Sequence, residues 1–298
     1  MREQIIEEIR RMVREDRSNY YPDRDDRYFA EPLVGVAAAD DGLFDEYKEV
    51  IGLFHLTPRE LVSVSTPEDV WQPRSVICWV LPVNEAARSA NRREQIYPSR
   101  EWALMRNFGE QFNSQLRRHI IVWLSERGYR AAAPQLMSAW RELADSPVGV
   151  ASTWSERHAA YAAGLGTFSL NDALITPAGI AHRLGSIITD LELEPSPRRY
   201  PERRANCLYF RDGTCGACIA RCPAGALSKD GHNKNKCRTY VYETIISAVA
   251  EQFGVSATGC GLCQTKVPCE KQIPSGWVSS FTASSIQVDK LYGGSSND

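Results

Sequence analysis

Apolar residues recur at helical spacing over residues 1–17, where Ile5, Ile6, Ile9, Met12 and Val13 share one face. They recur again over 101–128, through Leu104, Phe108, Phe112, Leu116, Ile120 and Leu124. Short apolar runs at 33–38, 76–83 and 183–193 predict strands, with smaller ones at 130–133 and 173–176. Residues 155–163 predict a helix that ends at Gly164. Alternating helix and strand signals of this kind predict an α/β domain over residues 1–200. No apolar run is long enough to cross a bilayer. The Gly/Ser-rich stretch 293–298, within a tail of 276–298, reads as disordered.

Charge adds little. The chain has 298 residues with a formal net charge of −2, which gives no global attraction to nucleic acid. One basic group, Arg198, Arg199, Arg203 and Arg204, lies in a proline-rich stretch. It reads as a solvated linker, or as a docking patch for an acidic electron carrier.

Cysteine changes the picture. Eight of the nine cysteines fall in Cys207-x7-Cys215-x2-Cys218-x3-Cys222-Pro223, Cys237, and Cys260-x2-Cys263-x5-Cys269. Eight thiolates suffice for two [4Fe-4S] clusters. In two-cluster ferredoxins the cysteine before proline serves the other cluster. That rule assigns Cys207, Cys215, Cys218 and Cys269 to one cluster and Cys222, Cys237, Cys260 and Cys263 to its neighbour. The position three before Cys215 is Asp212, an oxygen donor harder than clusters usually select, so Cys207 is the expected ligand. A zinc site with four cysteine ligands is the competing reading of paired Cys-x2-Cys. A disulfide scaffold suits small secreted domains instead. The ninth, Cys78, lies in an apolar run and reads as a small buried hydrophobe.

The segment Ser155-Glu-Arg-His-Ala-Ala-Tyr-Ala-Ala-Gly-Leu-Gly166, then Asn171, then Leu184-Gly-Ser-Ile-Ile-Thr-Asp-Leu-Glu-Leu193, leads directly into the cysteines. That order resembles the epoxyqueuosine reductase family and, more distantly, the reductive dehalogenases. The resemblance covers residues 150–270 well and the earlier part loosely. It implies a nitroreductase-like α/β domain for cobalamin (1–200), followed by a ferredoxin-like two-cluster domain (201–275). It also implies that Arg157, Gly164, Gly166, Asn171, Gly185 and Ser186 border the corrinoid. The proton-donating aspartate of those enzymes falls at Val150 here, leaving Glu156, Tyr161, Tyr97 and His158 as acid candidates.

The expected function is a cytoplasmic iron–sulfur, cobalamin-dependent reductase of a small organic molecule, supplied by reduced ferredoxin or flavodoxin. Because the chain ends soon after Cys269, tRNA is not expected as a partner, and neither is a membrane. The alternatives are a non-catalytic two-cluster electron carrier and a corrinoid activator. Activators of that kind commonly use ATP, and no phosphate-binding Gly-x4-Gly-Lys-Ser/Thr loop is present.

Overall fold

A computed structural model describes residues 1–200 and 202–274; the tail expected to be disordered lies outside them. The chain runs α1 (Arg2–Glu15), β1 (Leu33–Ala38), α2 (Leu43–Val50), α3 (Pro58–Ser65), β2 (Ser75–Pro82), α4 (Glu85–Arg93) and α5 (Arg100–Ser125). Next come β3 (Ala131–Ala132), β4 (Glu142–Leu143), β5 (Ala151–Ser152), α6 (Glu156–Ala162), β6 (Thr167–Phe168), β7 (Leu174–Ile175) and β8 (His182–Thr189). The cysteine-bearing segment adds α7 (Leu208–Asp212), α8 (Ala217–Ala220), β9 (Leu227–Ser228), β10 (Gly231–His232), α9 (Lys234–Thr239) and α10 (Ile246–Phe253).

The main sheet has the order β1-β2-β8-β3 and is antiparallel throughout. Alternation of helix and strand therefore gave the element types correctly without implying parallel strands. Period-two patterning divides the core between the two faces. Ile77, Trp79 and Leu81 pack with Val36 and Ile187 against α1 and α5. Val76, Cys78 and Val80 pack with Leu184 and Ile188 under α2, α3 and α6. This is why β2 is one unbroken apolar run: both its faces are covered. Cys78 is fully buried and its thiol is pushed up by that burial, as a small core residue should be. Local signals set the helix ends. Ser99 accepts from the Trp102 amide at 3.2 Å to start α5, and Thr57 with Glu60 forms a capping box on α3.

The cysteine-bearing segment is fastened to this scaffold by polar contacts. The Ile180 and Ala181 amides donate to the carbonyls of Cys269 and Glu270, at 2.9 and 3.2 Å. Arg221 reaches the carbonyls of Asn91 and Glu94, at 3.2 and 2.7 Å, and Arg92 Nε holds Glu270 at 2.9 Å. Asn91, fully buried, donates to the Cys260 carbonyl at 3.3 Å and to Thr265 Oγ1 at 3.2 Å. It also accepts from the Ser99 amide at 3.0 Å.

Asn91→Ala should therefore cost about 1–3 kcal/mol, because it leaves buried partners unpaired. The expected readout is a melting temperature lower by a few degrees, with faster amide exchange across residues 256–270. Unchanged exchange there would show that Asn91 does not anchor the segment.

A candidate pair of thiol-lined sites

The eight cysteines gather in two groups of four. Burial pushes the Cys269 thiol up, and so do the neighbouring thiols of Cys207, Cys218 and Cys215. Cys218, pushed up to about 11, is buried beside Cys207 and Cys215. In the second group Cys260 is pushed up to about 12 by burial and by Cys237 and Cys222. Cys263 is raised well above its ordinary value, by burial and then by Cys260, Cys237, Cys218 and Cys222. The two groups adjoin where Cys263 meets Cys218, as α8 packs on Leu262–Gln264.

Their surroundings differ. The first group encloses a pocket of about 370 Å³, counted to its mouth, over Leu170, Ile175, Ile180 and Val267. In the second, the Ala226 amide donates to Cys222 Sγ at 3.3 Å, while Arg221 lies close to Cys260 and Arg157 close to Cys237. Asp212 is engaged elsewhere. It accepts from the Thr214 amide at 3.1 Å and from Arg211 at 2.9 Å. Among the described residues, no three Cys, His, Asp or Glu side chains stand close enough to hold a single metal ion.

The residues implied for a corrinoid do not form a common cradle. Gly164 ends α6 at φ +73°, and a Cβ there would meet the Pro197 carbonyl oxygen at 2.7 Å. A Cβ at Gly166 would meet the Ile175 carbonyl oxygen at 2.5 Å, and one at Gly185 would enter the Trp79 indole. Each glycine is required by the packing of the chain on itself. Ser186 is fully buried and accepts from the Trp154 indole at 3.1 Å. Asn171 donates to the Cys263 carbonyl at 3.0 Å and so braces the second thiol group. Asn171 also lines the pocket at the first thiol group, and Arg157 opens on a separate cleft of about 780 Å³ counted to its mouth, shared with Tyr161, His158, Phe168, Asp172 and Lys234. Arg157 and Asp172 lie near enough to influence Cys237, so this cleft abuts the second thiol group. Asp172 holds φ +61°, an uncommon conformation for a side-chain-bearing residue.

Of the acid candidates, only Tyr161 and His158 are brought together, at the cleft. Tyr161 faces the cleft, and burial raises its hydroxyl. Tyr97 is exposed between α4 and α5, near Tyr240. Glu156 turns inward, where Arg117 reaches it at 3.2 Å; burial raises its carboxyl against that pull. His158 lines the cleft with its ring against Tyr47 and Phe168. Sequence reasoning missed the charged group around Glu156: Arg106, Glu110 and Arg117 on α5, and Arg183 on β8. Its only signal was charge recurring every three to seven residues along an otherwise apolar helix, which also describes a solvated face.

Burial lowers His55 and His182 to about 4 and pushes His158 well below its ordinary value. Across the window from about pH 6.5 down to 4 the unfolded chain binds more protons, so stability falls with acidification. The melting temperature should drop between about pH 7 and 5, and His55→Gln should reduce that drop. Equal drops in the two proteins would show that His55 is not held neutral.

No family model matches the chain. Epoxyqueuosine reductase of Bacillus anthracis is 31% identical over 122 residues, which is 39% of this chain and 30% of the relative. That of Bacillus subtilis is 29% identical over 124 residues, covering 39% and 29%. The match thus spans about three-tenths of the length of these relatives. Among solved structures, an epoxyqueuosine reductase from Streptococcus thermophilus superposes with a TM-score of 0.53 over 93% of this chain and 68% of that one, at 15% identity. A catabolic reductive dehalogenase gives 0.50 over 82% and 30%, also at 15%. These structures show the fold, a mixed α/β one. The expectation that tRNA is not a partner is withdrawn, since the matched relatives are epoxyqueuosine reductases and one such enzyme has been solved with a modified tRNA stem loop. No described helix is long and apolar enough to cross a membrane. In its matched sequence and in its fold, this chain resembles the epoxyqueuosine reductases.

Proposed function

We propose that this chain is an iron–sulfur reductase whose two thiol groups each hold a [4Fe-4S] cluster and serve an acceptor in the adjoining cleft. The observation that carries the reading is the pair of four-thiol groups meeting at Cys218 and Cys263. Buried thiols this close stay protonated unless a metal group takes up their charge, and soft sulfur donors suit iron–sulfur clusters. Bound there, the clusters supply one-electron transfer. The chain's own residues give the pair a direction. The first group lies over apolar side chains, whereas the second has a backbone N–H, Arg221 and Arg157 about it. Such donors and cations favour the more negative, reduced state, so electrons enter at the first site and leave from the second. Reduced ferredoxin or flavodoxin fits the entry side, and residues 201–275 act as the electron-transfer domain.

At the cleft, Arg157 and Lys234 attract and orient a small organic substrate, while Tyr47, Phe168 and Tyr161 exclude water. Tyr161 keeps its proton at neutral pH and is a donor facing the cleft. A second donor is Asp145, exposed in the loop between β4 and β5. The Bacillus subtilis reductase has been solved with its catalytic aspartate loop swung out of the active site. No step passes through a corrinoid, because Gly164, Gly166, Gly185 and Ser186, implied for one, are committed within the protein.

Anaerobic reconstitution with iron, sulfide and hydroxocobalamin, followed by desalting, should leave about eight iron atoms per chain and no stoichiometric cobalt. One cobalt per chain would return a corrinoid to the reading. Far fewer iron atoms would overturn the clusters. Cys207→Ala should remove about half of the iron and the signal of one cluster, whereas Asp212→Ala should keep both. Cluster loss in the Asp212 variant alone would reverse that assignment.

A further inference from the structure

Arg106, Glu110 and Arg117 on α5 meet Arg183 of β8 and Glu156 of α6 in one charged group. Both Glu110 oxygens are taken. Oε1 accepts from Arg117 at 3.0 Å, and Oε2 accepts from Arg183 Nε at 2.8 Å. Arg117, entirely buried, spends its other arm on Glu156 at 3.2 Å and on the Leu184 carbonyl at 3.2 Å. Three guanidiniums thus share two carboxyls, and Arg106 is the one left over. Among the described residues it has no hydrogen-bond acceptor and no ion pair; Arg183, Glu110 and the Tyr242 phenol are its neighbours.

A partly buried guanidinium beside a second one, with no acceptor, is a costly arrangement unless something anionic completes it. Burial and then Arg183 lower Arg106 to about 10, and burial raises Glu156, which increases the positive surplus. Gly259 makes room for the side chain: a Cβ there would come within 2.7 Å of Arg106 Nε. Cys260 follows directly in sequence. Tyr242, 47% exposed, stands on the open side.

We propose that Arg106 and Arg183 form a binding site for an oxyanion, the phosphate or carboxylate of a larger ligand, on the Cys260 side of the second thiol group. The planar guanidinium fork suits either anion through paired, charge-assisted hydrogen bonds. The site is separate from the cleft, which meets the second group at Cys237. It stands whether or not the reductase reading does.

Phenylglyoxal labelling of the cluster-loaded protein, read peptide by peptide by mass spectrometry, tests the site. Millimolar inorganic phosphate or benzoate should slow Arg106 labelling about tenfold, and equal chloride should not. Protection by phosphate alone makes the ligand a phosphate, and by benzoate alone a carboxylate. Arg106→Gln should abolish the anion-induced rise in melting temperature while retaining the parent's iron. Labelling indifferent to both anions, or an undiminished rise in the variant, would overturn the proposal. Loss of iron in Arg106→Gln would also overturn it, assigning the residue to holding the thiol segment instead. Iron content in the parent reports separately on the clusters.

Discussion

Repulsion among buried sulfur groups is the constraint on which the cysteine-bearing segment depends. Eight thiols stand in two adjoining groups, and those of Cys218, Cys237, Cys260, Cys263 and Cys269 are forced upward by burial and by neighbouring thiols. Left uncoordinated they must stay neutral, and a neutral thiol is a poor hydrogen-bond partner with modest packing surface. The helices that carry them are correspondingly short, with α8 spanning four residues and α7 five. In the proposed reading, sulfur coordination supplies what local propensity does not, and metal affinity in such a site is also folding energy. The scaffold needs no such help, since β2 and both covering helical layers form an extended apolar core.

Much of the scaffold was legible because burial on both sheet faces writes itself as apolar runs. The strand expected at 33–38 is β1, and those expected at 76–83 and 183–193 are β2 and β8, with ends shifted by one to four residues. The helices α2, α3 and α4 were not anticipated, although Thr57 and Glu60 carry a capping box before α3. They lie on the surface, where only one face is apolar and the pattern is brief. The cysteine grouping was legible for a different reason. It rests on a rule of loop geometry, cysteine before proline, which does not depend on the remaining fold.

At the residues implied for a corrinoid, glycine already has a reason within the fold. A glycine records that some atom comes close, without recording which. At Gly185 it is the Trp79 ring across the strand pair, set by register; at Gly164 it is the chain passing at Pro197. Asn171 also has a partner within the fold: its amide donates to the Cys263 carbonyl. Of these residues, Asn171 alone is shown bracing the second thiol group.

The charged group on α5 shows why buried polar residues escape pattern reading. Arg117 sits among Phe112, Leu116 and Ile120 and is completely enclosed, with its Nε left without a partner. Its charge is tolerable only because Glu110 and Glu156 lie on either side. Removing one carboxylate from such a group costs far more than the pair contributes, since an uncompensated cation remains. Truncating Glu156 would therefore disturb the fold whatever its part in proton transfer. A neutral isostere that keeps the contact to Arg117 separates the two roles, since Glu156 Oε2 has no hydrogen-bond partner of its own to lose. The same logic gives Arg106 its interest. In a group where every other charge is matched, the unmatched one faces outward, toward the backbone that carries Cys260.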